Sequence, residues 1–311
     1  MSFATNVKNE ICGYNGTKTE KIALLSGFIR NNGTYDEEKI SLLTENASVA
    51  KKIYTLIKEI YDANINITQK KGNNFTKNSL FMMDITDKAK FILEDVSVTK
   101  NGKYLSIPNQ FITSDEPGKR SYLLGSFLSK GSVNDPKTSR YHLEFLIENH
   151  EEAEFISELL NEFDLNSKVL SRDKGYMVYI KEAEKIGDFL RIVYASNAVL
   201  YYEDIRIYRD HKNMTNRLNN CEQANMDKII STANNQIEEI EYLKSIDAFD
   251  LLDDKVKEAA NYRVKYPDAS LQELSEIITY ETGNAISKPG LNHRFRKIKE
   301  LVTKIKESES E

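Results

Sequence analysis

Two stretches of this chain are versions of one another, and that duplication constrains the fold more than any other feature. IALLSGFIRNNGTY (22–35) places Gly27 and Gly33 six positions apart, and SYLLGSFLSKGSVNDP (121–136) repeats the spacing at Gly125 and Gly131, each pair 98 residues apart. A glycine inside a helix costs about 0.5–1 kcal/mol relative to alanine. Its recurrence at one height in two helices implies that another backbone comes close there. Two equivalent helices that cross at their glycines about a pseudo-two-fold axis satisfy that requirement.

The flanking sequence extends the repeat. After Gly33 a strand-rich stretch leads into ASVAKKIYTLIKEIY, where Val49, Ile53, Leu56, Ile57 and Ile60 have helical spacing. After Gly131 a similar stretch leads into HEEAEFISELLNEF, with Ile156, Leu159, Leu160 and Phe163. The offset is now 103, so that Glu45-Asn46 falls on Glu148-Asn149 and Ile53 on Ile156. The five extra residues fit a longer loop at 134–140, where Asn-Asp-Pro signals a turn. Each half then returns to a hairpin, one with Gly-Asn-Asn at its tip and one with Asp-Lys-Gly, and closes on a short helix. The unit therefore reads αββαββα, twice over, and two four-stranded sheets are expected side by side as one saddle.

The last third differs. RIYRDHKNMTNRLNN (206–220) carries Arg206, Arg209, Lys212 and Arg217 against one aspartate, and it leads into a run in which Ala224, Ile229, Ala233, Ile237 and Ile240 recur at helical spacing. From about Asp247 three short helices follow. The first is closed by Pro267, the second is opened by the capping box Ser270-Leu271-Gln272-Glu273, and the third is capped by Ser287 with Pro289 in its first turn. Leu291, Phe295, Ile298 and Leu301 form the apolar stripe of the third, after a turn read as nine residues long. From Lys288 to Lys306 there are seven Lys or Arg and one Glu, in a chain whose net charge is −5. Three short helices with a basic last one suit a helix-turn-helix, whose final helix enters the major groove. Ser287, Lys288, Asn292, His293, Arg294, Arg296 and Lys297 are the candidate DNA-binding residues.

Two cysteines far apart in sequence and four scattered histidines give no metal-ligand spacing. No apolar run approaches the ~20 residues that span a bilayer, and the N-terminus lacks a signal-peptide core. The expectation is a cytoplasmic, nucleoid-associated protein with no cofactor, no metal, no membrane and no small-molecule substrate.

The motif residues also carry a resemblance. Leu25 to Gly33 resembles the LAGLIDADG motif of the homing endonucleases, and Gly125 to Gly131 resembles the end of a second copy. The whole chain, from MSFATNVKNEI through KRSYLLGSFLSKGSVNDP, LNSKVLSRDKGYMVYIKEAEKI and NRLNNCEQANMDK to ISKPGLNHRFRKI, is similar to the WhiA family, bacterial regulators of sporulation and cell division. The resemblance implies an α+β chain in three parts. These are a duplicated LAGLIDADG-like saddle over 1–205, with repeats at about 20–110 and 118–205; a linker helix over 206–246; and an all-α helix-turn-helix domain over 247–311. In the endonucleases the residue before the last motif glycine is an acid that holds divalent metal. Here those lost catalytic positions are Asn32 and Lys130, a neutral amide and a cation, so that a local charge of about −2 becomes about +1.

The expected function is that of a non-enzymatic transcription regulator that binds double-stranded DNA, linked to sporulation, cell division or chromosome segregation. A metal-dependent DNA endonuclease is the enzymatic alternative, for which Asp36 or Asp135 would have to reach the site. A saddle that docks another transcription regulator is the other. Candidate phosphate contacts are Lys70, Lys71, Arg172 and Lys174 on the hairpins, with Lys77 and Lys168 beside them, and Arg206, Arg209 and Arg217 beyond the saddle.

Overall fold

Thr17 and Glu20 start the first motif helix as a reciprocal capping box, each side chain taking the other's backbone N–H. The structure is a computed structural model that describes residues 2–70, 79–138 and 140–308. A first helix, α1 (Phe3–Ile11), precedes the repeat and buries Phe3, Val7 and Ile11. The first repeat then runs α2 (Lys18–Arg30), β1 (Thr34–Tyr35), β2 (Ile40–Thr44), α3 (Ala47–Tyr61), β3 (Ile65–Lys70), β4 (Leu80–Ile85) and α4 (Ala89–Asp95). A two-stranded hairpin, β5 (Thr99–Lys100) and β6 (Lys103–Tyr104), and a 3₁₀ turn at Gln110–Thr113 lead to the second repeat. That repeat runs α5 (Glu116–Lys130), β7 (Gly131–Val133), β8 (Leu143–Ile147), α6 (His150–Glu162), β9 (Lys168–Arg172), β10 (Gly175–Ile180) and α7 (Ala183–Ile192).

The two repeats have the same sheet topology. Each forms a four-stranded antiparallel sheet, in the orders β1-β2-β4-β3 and β7-β8-β10-β9. Leu42 opposite Met83 and Phe145 opposite Val178 mark the helix-facing side, and all four are buried. The motif helices α2 and α5 pack on one another at their glycines. A Cβ on Gly27 would lie 2.3 Å from the Tyr122 carbonyl oxygen, and one on Gly125 would lie 2.0 Å from that of Leu24. Only glycine lets the backbones approach this far, as small-residue crossings do elsewhere. The two motif ends differ. Gly33 takes a positive φ of 79°, whereas Gly131 is extended and starts β7 directly.

A long helix, α8 (Ser196–Ser245), follows. It starts ten residues before the linker helix expected over 206–246, because Ala198 and Tyr202 are buried in the first core. The chain divides into two compact units at Arg209/Asp210. In the second unit α8 contributes Ile240 and Leu243 to a core shared with α9 (Asp254–Lys265), α10 (Leu271–Thr282) and α11 (Lys288–Ser308). The buried row of α8 there is Ala233, Gln236, Ile240 and Leu243, while Ala224 is exposed. A polar Gln236 fits because buried Arg263 donates to its Oε1 at 3.0 Å. Arg263 also donates to the Ala269 carbonyl at 2.6 Å and lies over the Phe295 ring, tying α8, α9 and α11 together. Among the described residues no helix is long and apolar enough to cross a membrane.

Candidate nucleic-acid interface

The motif ends form one candidate site, within the first unit. Asn32 is buried, its Nδ2 donating to the Leu43 carbonyl at 2.8 Å and its Oδ1 accepting the Leu43 N–H at 2.7 Å. The side chain therefore serves β2 instead of an ion. Lys130, its counterpart, is exposed at the end of α5. Both line a cleft of about 960 Å³ that is also walled by α1 and by the start of α3. Asp36 and Asp135 do not line it. Asp36 accepts the amides of Glu38 and Lys39, and Asp135 that of Lys137, as turn acids do. Among the described residues no three His, Cys, Asp or Glu side chains gather as a metal would need.

Behind this lies a buried polar cluster that the motif reading missed. Arg30 donates to the carbonyls of Leu105 and Ser97 and lies under the Tyr104 ring. Glu152, 2% exposed, accepts from Asn31 Nδ2 and from the Tyr104 hydroxyl. Burial pushes the Glu152 carboxyl up to about 7, against the opposing pull of Arg30. A signal for this existed in the repeat. At the two offsets Arg30 aligns with Leu128 and Glu152 with Val49, both buried apolar residues. A charge that replaces a core residue in one copy and a charge of opposite sign that does so in the other point to a shared buried site.

The cations placed on the first unit are spread out. Lys70, Arg172 and Lys174 are exposed at hairpin ends, and Lys71 and Lys77 lie outside the described residues. Arg206 pairs with Glu203 at 2.7 Å, and Arg209 donates to the carbonyls of Pro136 and Thr138 while stacking on Tyr141. Arg209 thus holds α8 to the loop at 136–138, whereas the Arg206 pair lies within α8 itself. Arg217 is exposed, in a stretch of α8 (210–228) that is exposed throughout.

A separate candidate site, within the second unit, is α10, the turn and α11. The Ser270–Glu273 capping box is formed, and Gly283 ends α10 at φ 70°. Ser287 then caps α11 by accepting the Gly290 N–H at 3.3 Å. The turn thus takes five residues, 283–287, and not the nine expected, since the left-handed glycine reverses the chain at once. Leu291, Phe295, Ile298 and Val302 are buried, so Val302 takes the fully buried place assigned to the half-buried Leu301. Lys288, Asn292, His293, Arg296 and Lys299 are exposed. Arg294 and Lys297 point the other way, toward α9. Arg294 Nη1 donates to the Lys255 carbonyl at 3.0 Å and pairs with Glu258 at 3.1 Å, while Lys297 pairs with Asp253 at 3.1 Å.

Comparison with known proteins accords with this geometry. Three family models match in succession: the WhiA N-terminal LAGLIDADG-like domain over residues 18–99, the WhiA LAGLIDADG-like domain over 119–212 and the WhiA C-terminal HTH domain over 215–302. The probable cell division protein WhiA of Bacillus cytotoxicus is 42% identical over 315 residues, covering 100% of this chain and 99% of that protein. The full-length DUF199/WhiA from Thermatoga maritima has a similar structure, with a TM-score of 0.60 at 21% identity over 98% of this chain and 99% of its own. An N-terminal LAGLIDADG domain of DUF199/WhiA matches with a TM-score of 0.52 at 23% identity, over 62% of this chain and 90% of its own.

Proposed function

The chain belongs to the WhiA family, and from that premise we propose that it is a non-enzymatic, DNA-binding transcription regulator acting in cell division and sporulation, in the cytoplasm at the nucleoid. The observation that carries the reading is the exposed face of α11. Lys288, Asn292, Arg296 and Lys299 lie on one side of a helix whose opposite flank is fixed to α9, behind a formed capping box and a five-residue turn. Lys288 stands at the N-terminal end, where a helix-turn-helix presents side chains to base edges. Asn292 suits adenine and Arg296 a guanine or a phosphate.

The saddle keeps the endonuclease architecture without its chemistry. Two-metal hydrolysis needs carboxylates on both sides of the scissile phosphate. Asn32 spends both ends of its amide on Leu43, and Lys130 adds positive charge where a cation would bind. A second reading, the saddle as a docking platform for another regulator, is favoured by its outer sheet face. Leu43, Leu146 and Leu170 are 40%, 45% and 47% exposed there, and Met177 lies opposite both of the last two. A face that only read DNA would carry polar side chains at those positions.

The deciding experiment measures duplex binding and Mg²⁺-dependent nicking by the full chain, with and without Arg296→Glu. Binding that falls with the substitution, without nicking, supports the regulator. Nicking abolished by EDTA restores the enzyme.

A further inference from the structure

The cleft at the motif ends has a chemistry that the DNA reading leaves unused. The N-terminal segment lines it with Ser2, Thr5, Lys8 and Asn9, and the end of α5 and the start of β7 with Ser129, Lys130 and Ser132. The start of α3 adds Asn46 and Ser48, and Ala4, Leu43 and Leu80 supply an apolar side. One carboxylate, Glu45, also lines it. Among the described residues Lys8 and Lys130 take part in no salt bridge, and Lys8 lies over the Phe127 ring instead. Burial draws the Lys8 ammonium down to about 8, Cys12 opposing this and the Lys130 charge adding to it. Two neighbouring cations outside any salt bridge, one of them half-buried, repel one another, and an anion between them would relieve that cost.

The shape restricts which anion. A cleft of about 960 Å³ is at the upper end of ordinary small-molecule sites and far exceeds an inorganic ion. Its lining combines cations, hydroxyls and apolar side chains, the mixture that a phosphate joined to a flat or apolar group requires. The helix α1, which no element of the second repeat matches, forms one wall and encloses the site on that side.

We propose that this cleft binds a small phosphorylated ligand of nucleotide size, its phosphoryl group held between Lys8 and Lys130 and its remainder laid along Ala4, Leu43 and Leu80. The proposal goes beyond the DNA reading, since its residues share nothing with α11. It also gives one of the two substituted motif ends a use, since Lys130 brings positive charge to the cleft.

The test is titration calorimetry on the full chain with the four ribonucleoside monophosphates, with inorganic phosphate and with a short duplex. The expected result is saturable binding of at least one nucleotide near or below about 1 mM, weakened about tenfold or more by Lys8→Met and by Lys130→Glu. Lys8→Met replaces the ammonium near Phe127 by an apolar chain of similar length, and Lys130 is exposed, so both variants should melt close to the parent. Inorganic phosphate should bind more weakly than the nucleotide. The proposal is overturned if no nucleotide saturates by about 10 mM, if both substitutions leave binding unchanged, or if phosphate alone binds as well. It is equally overturned if the substitutions weaken only duplex binding, which would assign the cations to the DNA backbone. Loss of duplex binding by Arg296→Glu is read separately and bears on the DNA reading alone.

Discussion

Asn32 grips both backbone groups of Leu43, donating to its carbonyl at 2.8 Å and accepting its N–H at 2.7 Å. The pairing needs a donor and an acceptor on one planar group, which an ionised carboxylate does not offer. Asn32→Asp restores the acid of the endonuclease motif in name only. Its second oxygen would face the Leu43 carbonyl in a buried position, at a cost of about 1–3 kcal/mol. Urea denaturation should show that loss, smaller in acid where the new carboxyl can keep its proton and donate. Mg²⁺-dependent nicking should not appear, because Lys130 remains across the cleft. A variant as stable as the parent would show that the amide is not serving the strand.

The crossing of α2 and α5 makes a second, sharper prediction. Gly27→Ala and Gly125→Ala each drive a methyl into a backbone carbonyl of the partner helix, at 2.3 and 2.0 Å, where no rotamer can give way. Each should destabilise the first unit by about 1–3 kcal/mol. Both strain the same contact, so the double variant should cost less than the sum. Additive losses in chemical denaturation would mean that the helices yield independently.

Glu152 makes stability depend on pH. The unfolded chain releases this proton near 4.5, but the folded carboxyl holds it to about 7, mainly because it is buried. The folded state thus binds the proton more tightly. The resulting stability is fully present below about pH 4.5 and is lost as pH rises through 7, by at most about 3 kcal/mol. Glu152→Gln removes that dependence. Between pH 4.5 and 8 the variant should gain on the parent by about 2 kcal/mol in urea midpoint experiments. A constant gap across that range would mean that Glu152 titrates as an exposed glutamate does.

The repeat was legible because it rests on local rules. Glycine spacing, capping boxes and helical periodicity are read from neighbours in sequence, and they placed α2, α3, α5, α6, α10 and α11. What was missed depends on partners far along the chain. The helix α1 is short and marked by little except Ser2, and its burial is decided by packing against the repeat. The early start of α8 follows from Tyr202 reaching the first core. Gln236 interrupts an apolar row only because Arg263, 27 residues later, requires an acceptor. The basic candidates among the DNA-binding residues stand out in sequence by charge. Charge alone does not distinguish Arg296, on the open face, from Arg294, held by α9.

That distinction gives the last prediction. Arg294 is 20% exposed at its side chain and bonds both the Lys255 carbonyl and Glu258, so Arg294→Glu should unfold the second unit more readily, by about 1–3 kcal/mol. Arg296 is 67% exposed at its side chain and pairs with Glu300, its i,i+4 neighbour, at 3.4 Å, an arrangement worth a few tenths of a kcal/mol. Arg296→Glu should therefore leave the melting temperature nearly unchanged and weaken duplex binding. If Arg296 meets a phosphate, affinity falls alike for all sequences, and the slope of log K against log salt shrinks by about 1. If it reads a base, the slope hardly changes, and discrimination at one position of the site is lost, worth about 1–3 kcal/mol. Fluorescence anisotropy on two duplexes at several salt concentrations separates these outcomes. Affinity indifferent to Arg296→Glu but abolished by a folded Arg294→Glu would put the reading face of α11 on the side of α9.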